Sequence, residues 1–187
     1  MENLAMLADE EKKTYTIADI EALPEGERAE LINGEMYMMA TPSITHQRIS
    51  GNLFFDIKDY IRGKGGPCEP FCAPFSVFPD DSGRNYIEPD LAVVCHPEII
   101  DDKGIHGGPD WVIEIVSPSS KYMDYVRKLS AYENAGVREY WIVDPGTRNV
   151  TVYGLEAHTV EQYTFEDEIP AGIYEDLKLR IKADSGQ

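Results

Sequence analysis

A chain of 187 residues, 42% hydrophobic and 27% charged, is long enough to bury a substantial core and has the make-up of a globular protein rather than a disordered or fibrous one. Its net charge of −17 opposes broad attraction to nucleic acid, because phosphate binding uses lysine and arginine to displace counterions. No apolar run approaches the roughly 20 residues that cross a bilayer, and the amino terminus lacks the basic start and long apolar centre of a secretory signal, so the expectations are no membrane contact and a cytoplasmic location.

Residues 1–13 are polar and acidic without periodicity and read as a flexible arm ahead of a single domain over 14–182. A short helix follows, with Thr16 as N-cap, Asp19 three residues on, and an apolar stripe of Ile17, Ile20 and Leu23 ending at Pro24-Glu25-Gly26. Asn33-Gly34 between Arg-Ala-Glu-Leu-Ile and Glu-Met-Tyr-Met-Met predicts a hairpin, since both residues tolerate the positive φ of a two-residue turn. From Pro42-Ser43 a long helix is predicted on the four-residue repeat of Ile49, Leu53, Ile57 and Ile61, stopped by the glycines after Arg62. Segments 71–78 and 86–95 read as strands buried on both faces, interrupted by Pro74 and by the Asp80-Asp81-Ser82-Gly83 turn.

After a loop over Gly104 to Pro109, Trp111–Val116 is a strand, Met123 to Asn134 an amphipathic helix stopped by Gly136, and Glu139–Val143 another strand. Such a βαβ unit makes its two strands parallel, with a right-handed crossover. Val150–Tyr153 and Val160–Phe165 close the chain as a β hairpin. The fold class is therefore α/β in the wider α+β sense: a mixed central sheet flanked by helices, with an N-terminal and a C-terminal hairpin.

Cys68, Cys72 and Cys95 form no disulfide framework by count and spacing and lack a second metal-binding pair, so they are expected to be buried free thiols. Ser117-Pro118-Ser119-Ser120 fits a helix cap better than a nucleophile, for no histidine stands at a telling spacing. Gly104, Gly107 and Gly108 precede a strand rather than a helix, which excludes a phosphate-cradling loop and a nucleotide cofactor.

Two acids lie within adjacent apolar runs: Asp90 opens Asp-Leu-Ala-Val-Val-Cys, and Glu114 sits inside Trp-Val-Ile-Glu-Ile-Val. Carboxylates among hydrophobes need a cation, either a metal ion or a lysine. On a helical wheel Lys128 and Lys121 fall at the edge of the apolar face of the helix after the Glu114 strand, from which Lys128 can reach back to it. Asp124, one turn before Lys128, offers a plain intrahelical ion pair instead. His46, in the first turn of the long helix, is a candidate for facing a metal or a phosphate. Glu30 and Glu35 bracket the Asn-Gly turn and are expected on opposite faces of the hairpin, so that at most one faces the site.

The segments Ala-Glu-Leu-Ile-Asn-Gly-Glu-Met-Tyr at 29–37, Pro-Ser-Ile-Thr-His at 42–46, Glu-Pro-Asp-Leu at 88–91, Val-Ile-Glu-Ile-Val-Ser-Pro-Ser-Ser at 112–120 and Gly-Val-Arg-Glu-Tyr-Trp-Ile-Val-Asp-Pro at 136–145 carry a resemblance. With Asp124, Lys128 and Tyr132 they resemble the PD-(D/E)XK nuclease superfamily, and within it the Uma-type restriction endonuclease-like group. The resemblance implies a restriction endonuclease-like fold, DNA as substrate, a homodimer, and Mg²⁺ or Mn²⁺ held by Asp90, Glu114 and the Ile115 carbonyl. It also implies a lysine beside the attacking water. The superfamily keeps that lysine two residues after the second acid, where this chain has Val116, so Lys128 stands as its replacement from the next helix. A nuclease fold retained for binding or regulation, and a paired-carboxylate hydrolase of another substrate, stay open as alternatives.

Overall fold

The computed structural model describes residues 13–117 and 120–183, so nearly all of the expected N-terminal arm lies outside the described residues. Helix α1 (Ile17–Glu21) opens where the Asp19 carboxylate accepts hydrogen bonds from the Thr16 N–H and hydroxyl. Strands β1 (Ala29–Ile32) and β2 (Glu35–Met38) form the predicted hairpin, with Ile32 opposite Glu35 and Glu30 opposite Tyr37. Asn33 (φ 51°) and Gly34 (φ 79°) take the left-handed turn conformation, and a Cβ on Gly34 would meet the Thr14 methyl at 2.5 Å.

Helix α2 (Ile44–Lys64) is capped by the Ser43 hydroxyl, which accepts from the His46 N–H, and it buries Ile49, Leu53, Ile57 and Ile61. Then come β3 (Glu69–Cys72), β4 (Val77–Phe78), β5 (Leu91–Val94), β6 (Ile100–Asp101), β7 (Gly104–His106) and β8 (Trp111–Ile115). A π-helical segment, Met123–Lys128, runs directly into α3 (Leu129–Asn134). Strands β9 (Glu139–Asp144), β10 (Asn149–Gly154), β11 (Thr159–Thr164), β12 (Ile169–Pro170) and β13 (Lys178–Leu179) complete the described chain.

Six strands form the central sheet in the order β11-β10-β9-β8-β5-β3. Only the β8–β9 pair is parallel, as a helical crossover between sequential strands requires; the other four pairs are antiparallel. Strand alternation divides the core in two. Trp111, Ile113 and Ile115 pack with Trp141, Val143 and the α2 stripe, whereas Val112 and Val116 pack with Ala92, Tyr132, Tyr140 and Ile142. Burying one such leucine or isoleucine contributes about 1.5–3 kcal/mol, and both sheet faces gain from it.

Several expectations are corrected. The segment over 71–78 breaks around Pro74 as expected, but its two parts lie in different sheets: β3 joins the central sheet, while β4 pairs with β7 in a separate three-stranded sheet. Of the segment over 86–95, only β5 joins the central sheet; Tyr86 and Ile87 make single bridges to Leu31 and Val77. The expected loop after Gly104 begins with β7, where Gly104 is required because a Cβ would meet the Ser76 carbonyl at 2.4 Å. The thiols are not all free either, since Cys68 and Cys95 form a disulfide and Cys72 is free but exposed. The reason is register: Glu69 faces Val94 across β3 and β5, and the next pair outward is Cys68 with Cys95. Among the described residues, no helix is long and apolar enough to cross a membrane.

Candidate active site

Leu91 pairs with Ile113 and Ala92 with Val112, so continuing the β5–β8 register by one residue sets Asp90 opposite Glu114. Glu114 points to the sheet face covered by the β1–β2 hairpin and the 123–134 helix, where Val112 and Val116 of the same parity pack, while Asp90, just ahead of β5, is met by His46 at the start of α2. Two acids distant in sequence thus become neighbours at the ends of two adjacent strands.

Each has its own partners. Oδ2 of Asp90 accepts the Ile115 N–H at 2.8 Å and lies 3.0 Å from His46 Nε2, brought there by the first turn of α2. His46 Nδ1 is buried and has no hydrogen-bond partner. Glu114 instead meets Lys128, whose Nζ lies 2.9 Å from Glu114 Oε1, 2.8 Å from Glu30 Oε1 and 3.3 Å from Asp124 Oδ1. All four side chains are buried. The Tyr132 hydroxyl donates to the same Glu114 oxygen at 2.8 Å, the Glu88 N–H donates to Glu30 at 3.1 Å, and the Tyr140 hydroxyl donates to the Asp124 carbonyl at 3.0 Å.

Three buried carboxyl groups around one ammonium leave a surplus of negative charge, and the proton affinities follow from it. Burial, opposed by Lys128 and reinforced by Asp124, Asp90 and Glu30, pushes the Glu114 carboxyl well above the ordinary range, and burial raises Glu30 as well. Burial works against the Lys128 ammonium, but Glu114, Glu30 and Asp124 outweigh it and hold that lysine charged, well above its usual range. Burial and then Glu114 raise Tyr132 in the same way, so its hydroxyl remains a donor.

The donor chemistry suits a hard divalent cation. Asp90 and Glu114 supply two adjacent carboxylates, and a positive ion beside them would oppose the burial and neighbouring charge that raise Glu114. Among the described residues no three His, Cys, Asp or Glu side chains form a ready-made cage, so an ion at this pair would need further ligands from water or the main chain.

Lys128 is fully inside rather than at the edge of an apolar face. The stripe turned inward is Asp124, Lys128 and Tyr132, an ordinary four-residue helical step, so the buried face is centred on Lys128 itself. The intrahelical Asp124–Lys128 pair and the reach to Glu114 both exist. Lys121 stays at the surface and pairs with Asp144 at 2.7 Å. Glu30 and Glu35 are not on opposite faces: Ile32 faces Glu35 and Glu30 faces Tyr37 across the turn, which gives all four one side. Glu30 reaches Lys128, while Glu35 accepts from the Tyr37 hydroxyl at 2.7 Å and lies 3.8 Å from Arg127. Sequence reasoning did not assign Tyr132 or Tyr140 to the cluster, although Tyr132 continues the four-residue step from Asp124 and Lys128. Ser117 and Ser120 exchange hydrogen bonds at the start of the helical segment, whereas Pro118 and Ser119 of the expected cap lie outside the described residues. A cavity of about 420 Å³ opens elsewhere, between α1, Phe78 and the Arg28–Glu88 ion pair.

In architecture the chain is similar to a solved structure described as a putative nuclease belonging to DUF820 from Anabaena variabilis, with a TM-score of 0.73, 22% identity, and coverage of 90% of this chain and 96% of that one. It is 27% identical over 128 residues to the uncharacterized protein slr1290 of Synechocystis sp., a match spanning 68% of this chain and 66% of that protein. The family model Uma2, described as putative restriction endonuclease, matches residues 17–181, nearly the whole described chain, and the chain belongs to the Uma2 family.

Proposed function

We propose that the chain is a Mg²⁺- or Mn²⁺-dependent endonuclease that hydrolyses DNA phosphodiester bonds, with Asp90, Glu114 and the Ile115 carbonyl holding the ion and Lys128 beside the attacking water. The observation that supports this reading is the meeting of Asp90 and Glu114 at adjacent strand ends, with the Lys128 ammonium 2.9 Å from Glu114. When bound, the ion lowers the pKa of a water and neutralises charge on the phosphate. Lys128 is held as an ammonium and so serves by donating to an oxygen, not as the base. Tyr132 holds the Glu114 carboxylate in place, and His46 with the Ile115 N–H fixes one Asp90 oxygen so that the other is turned to the ion.

The test is Mn²⁺ titration by calorimetry together with cleavage of supercoiled plasmid in Mg²⁺. Asp90→Ala should lose both binding and cutting; a variant that binds and cuts like the parent refutes the reading. A nuclease fold used for binding alone has one observation in its favour, the three ion pairs that already satisfy Lys128. Metal binding without cleavage would favour it. A glycosidase-like carboxylate pair is the weaker alternative, since Lys128 is bonded directly to one of the two acids.

A further inference from the structure

Helix α2 has a second face that the fold leaves uncovered. Its inward stripe is Ile49, Leu53, Ile57 and Ile61, and the positions opposite that stripe are Ile44, Arg48, Gly51, Phe55, Asp59 and Arg62, all exposed. Steps of three and four residues set these positions on one line along the helix. A solvated helix face is ordinarily polar, yet this one carries Ile44 at 69% and Phe55 at 66% exposure, and neither belongs to an apolar core. Gly51, one turn before Phe55, leaves open space above its backbone, since a Cβ there would meet no atom within 4 Å. Glycine inside a helix costs about 1 kcal/mol against alanine, and here it makes a depression beside a protruding ring.

The order of residues along this face is self-complementary. If a second copy of α2 lies antiparallel on the first, about a twofold axis at the level of Leu53, Phe55 of each chain sits over Gly51 of the other. Arg48 and Asp59 share one flank of the line and stand on either side of Leu53, so the same axis brings each Arg48 beside Asp59 of the other copy. Lys58, which lies over the Phe54 ring, occupies the opposite flank and stays clear of Arg48. Both charged partners are available: among the described residues Arg48 has no ion pair, and Asp59 pairs with Arg62 of its own helix at the surface, where such a pair holds little. One symmetry operation thus fills the depression at Gly51 and supplies an acid to the unpaired arginine. A nucleic-acid backbone could meet the same cations, but it would set phosphates against Ile44 and Phe55, which occupy the ridge.

We propose that the outward face of α2 is the contact through which two copies of this chain pair, helix on antiparallel helix, with Phe55 as the central anchor and Arg48 and Asp59 exchanged between the copies. The inference rests on the order of residues along one helix and not on what the acid pair does. It also places the two sites, for His46 in the first turn of α2 comes about 20 Å along the helix axis from its own copy.

Sedimentation velocity of the full chain tests this in a Cys72→Ser background, so that the exposed thiol forms no cross-link. A single helix pair falls below the roughly 1,600 Å² of a standard interface, so the range to scan is about 5–200 μM. The parent should pass from monomer towards dimer across it. Phe55→Ser should weaken the dimer at least about tenfold, as loss of a central aromatic anchor does. Arg48→Glu and Asp59→Arg should each weaken it about tenfold, and the double variant should recover most of that loss. Arg48 and Asp59 lie about 16 Å apart along one helix, so the recovery can arise only across two copies. All three positions are exposed, and far-UV circular dichroism checks that the variants fold. A chain monomeric over the whole range, a dimer unmoved by Phe55→Ser, or a double variant no tighter than the single ones overturns the proposal. So does a monomer whose α2 amides gain exchange protection only with added duplex DNA, which gives the face to nucleic acid.

Discussion

The Lys128 ammonium lies 2.9 Å from Oε1 of Glu114, and both side chains are buried. Removing the cation leaves Glu30, Glu114 and Asp124 facing one another without compensation. Lys128→Met is expected to destabilise the fold by about 3–5 kcal/mol near neutral pH, the usual loss when one partner of a buried pair is deleted. The folded chain raises the proton affinity of Glu114 and Glu30 above that of the unfolded chain, so the loss should shrink as pH falls and they take up protons. Urea unfolding at neutral and mildly acidic pH measures both effects, and equal stability of variant and parent at neutral pH contradicts the ion-pair account.

His46 reaches Asp90 from a different element, and its contribution is separable from folding because the site lies at the start of α2. His46→Ala should weaken Mn²⁺ binding by about 10–100-fold, the scale on which residues behind a metal ligand act. Thermal unfolding without metal should move little. Calorimetric titration decides it: parental affinity in the variant shows that Asp90 needs no help from His46.

Asp144, at the end of β9, accepts from the Gly146 and Thr147 N–H groups and pairs with Lys121. Burial tends to raise its carboxyl, yet Lys121 and the Thr147 and Gly146 hydrogen bonds prevail and hold it below the ordinary range. A depressed folded-state value stabilises the fold above the unfolded pKa of about 3.9, and that contribution disappears as pH falls through the folded value. Asp144→Asn should cost about 1–3 kcal/mol at neutral pH and less in strong acid, giving a flatter fall of stability with acid than the parent shows. Denaturant midpoints measured across the acid range test this.

The Cys68–Cys95 disulfide closes a segment with a sequence separation of 27 residues. Its removal by Cys95→Ser, or by a reductant, should cost about 2–4 kcal/mol through the freedom regained by the unfolded chain. Cys72→Ser, at an exposed free thiol, should leave the midpoint in place. Calorimetry with and without reductant separates the two; a midpoint insensitive to reductant rules the cross-link out as a source of stability.

Local signals were legible in the sequence because they act over a few residues. The Thr16–Asp19 start of α1, the Asn33-Gly34 turn and the four-residue stripe from Ile49 to Ile61 each depend on backbone conformation or one periodicity, and each is observed. The β8–β9 crossover was equally readable, since a strand, helix and strand in succession admit a parallel pair. Asp90 and Glu114 stood out as acids among apolar residues, and Lys128 as the lysine able to reach them.

What the tertiary structure alone decided concerns strand register and the docking of one helix. Pairing Leu91 with Ile113 makes Asp90 and Glu114 neighbours, and the β3–β5 register joins Cys68 to Cys95; a shift of one residue would undo either. The hairpin register gives Glu30 and Glu35 one face, although their spacing suggested two. The docking of the 123–134 helix on the sheet carries Lys128 inside with Asp124 and Tyr132. Sequence by itself therefore determined which residues could build an acid and lysine site, while their meeting was settled by hydrogen-bond register between distant strands and by how the following helix docks on the sheet, neither of which leaves a local signal.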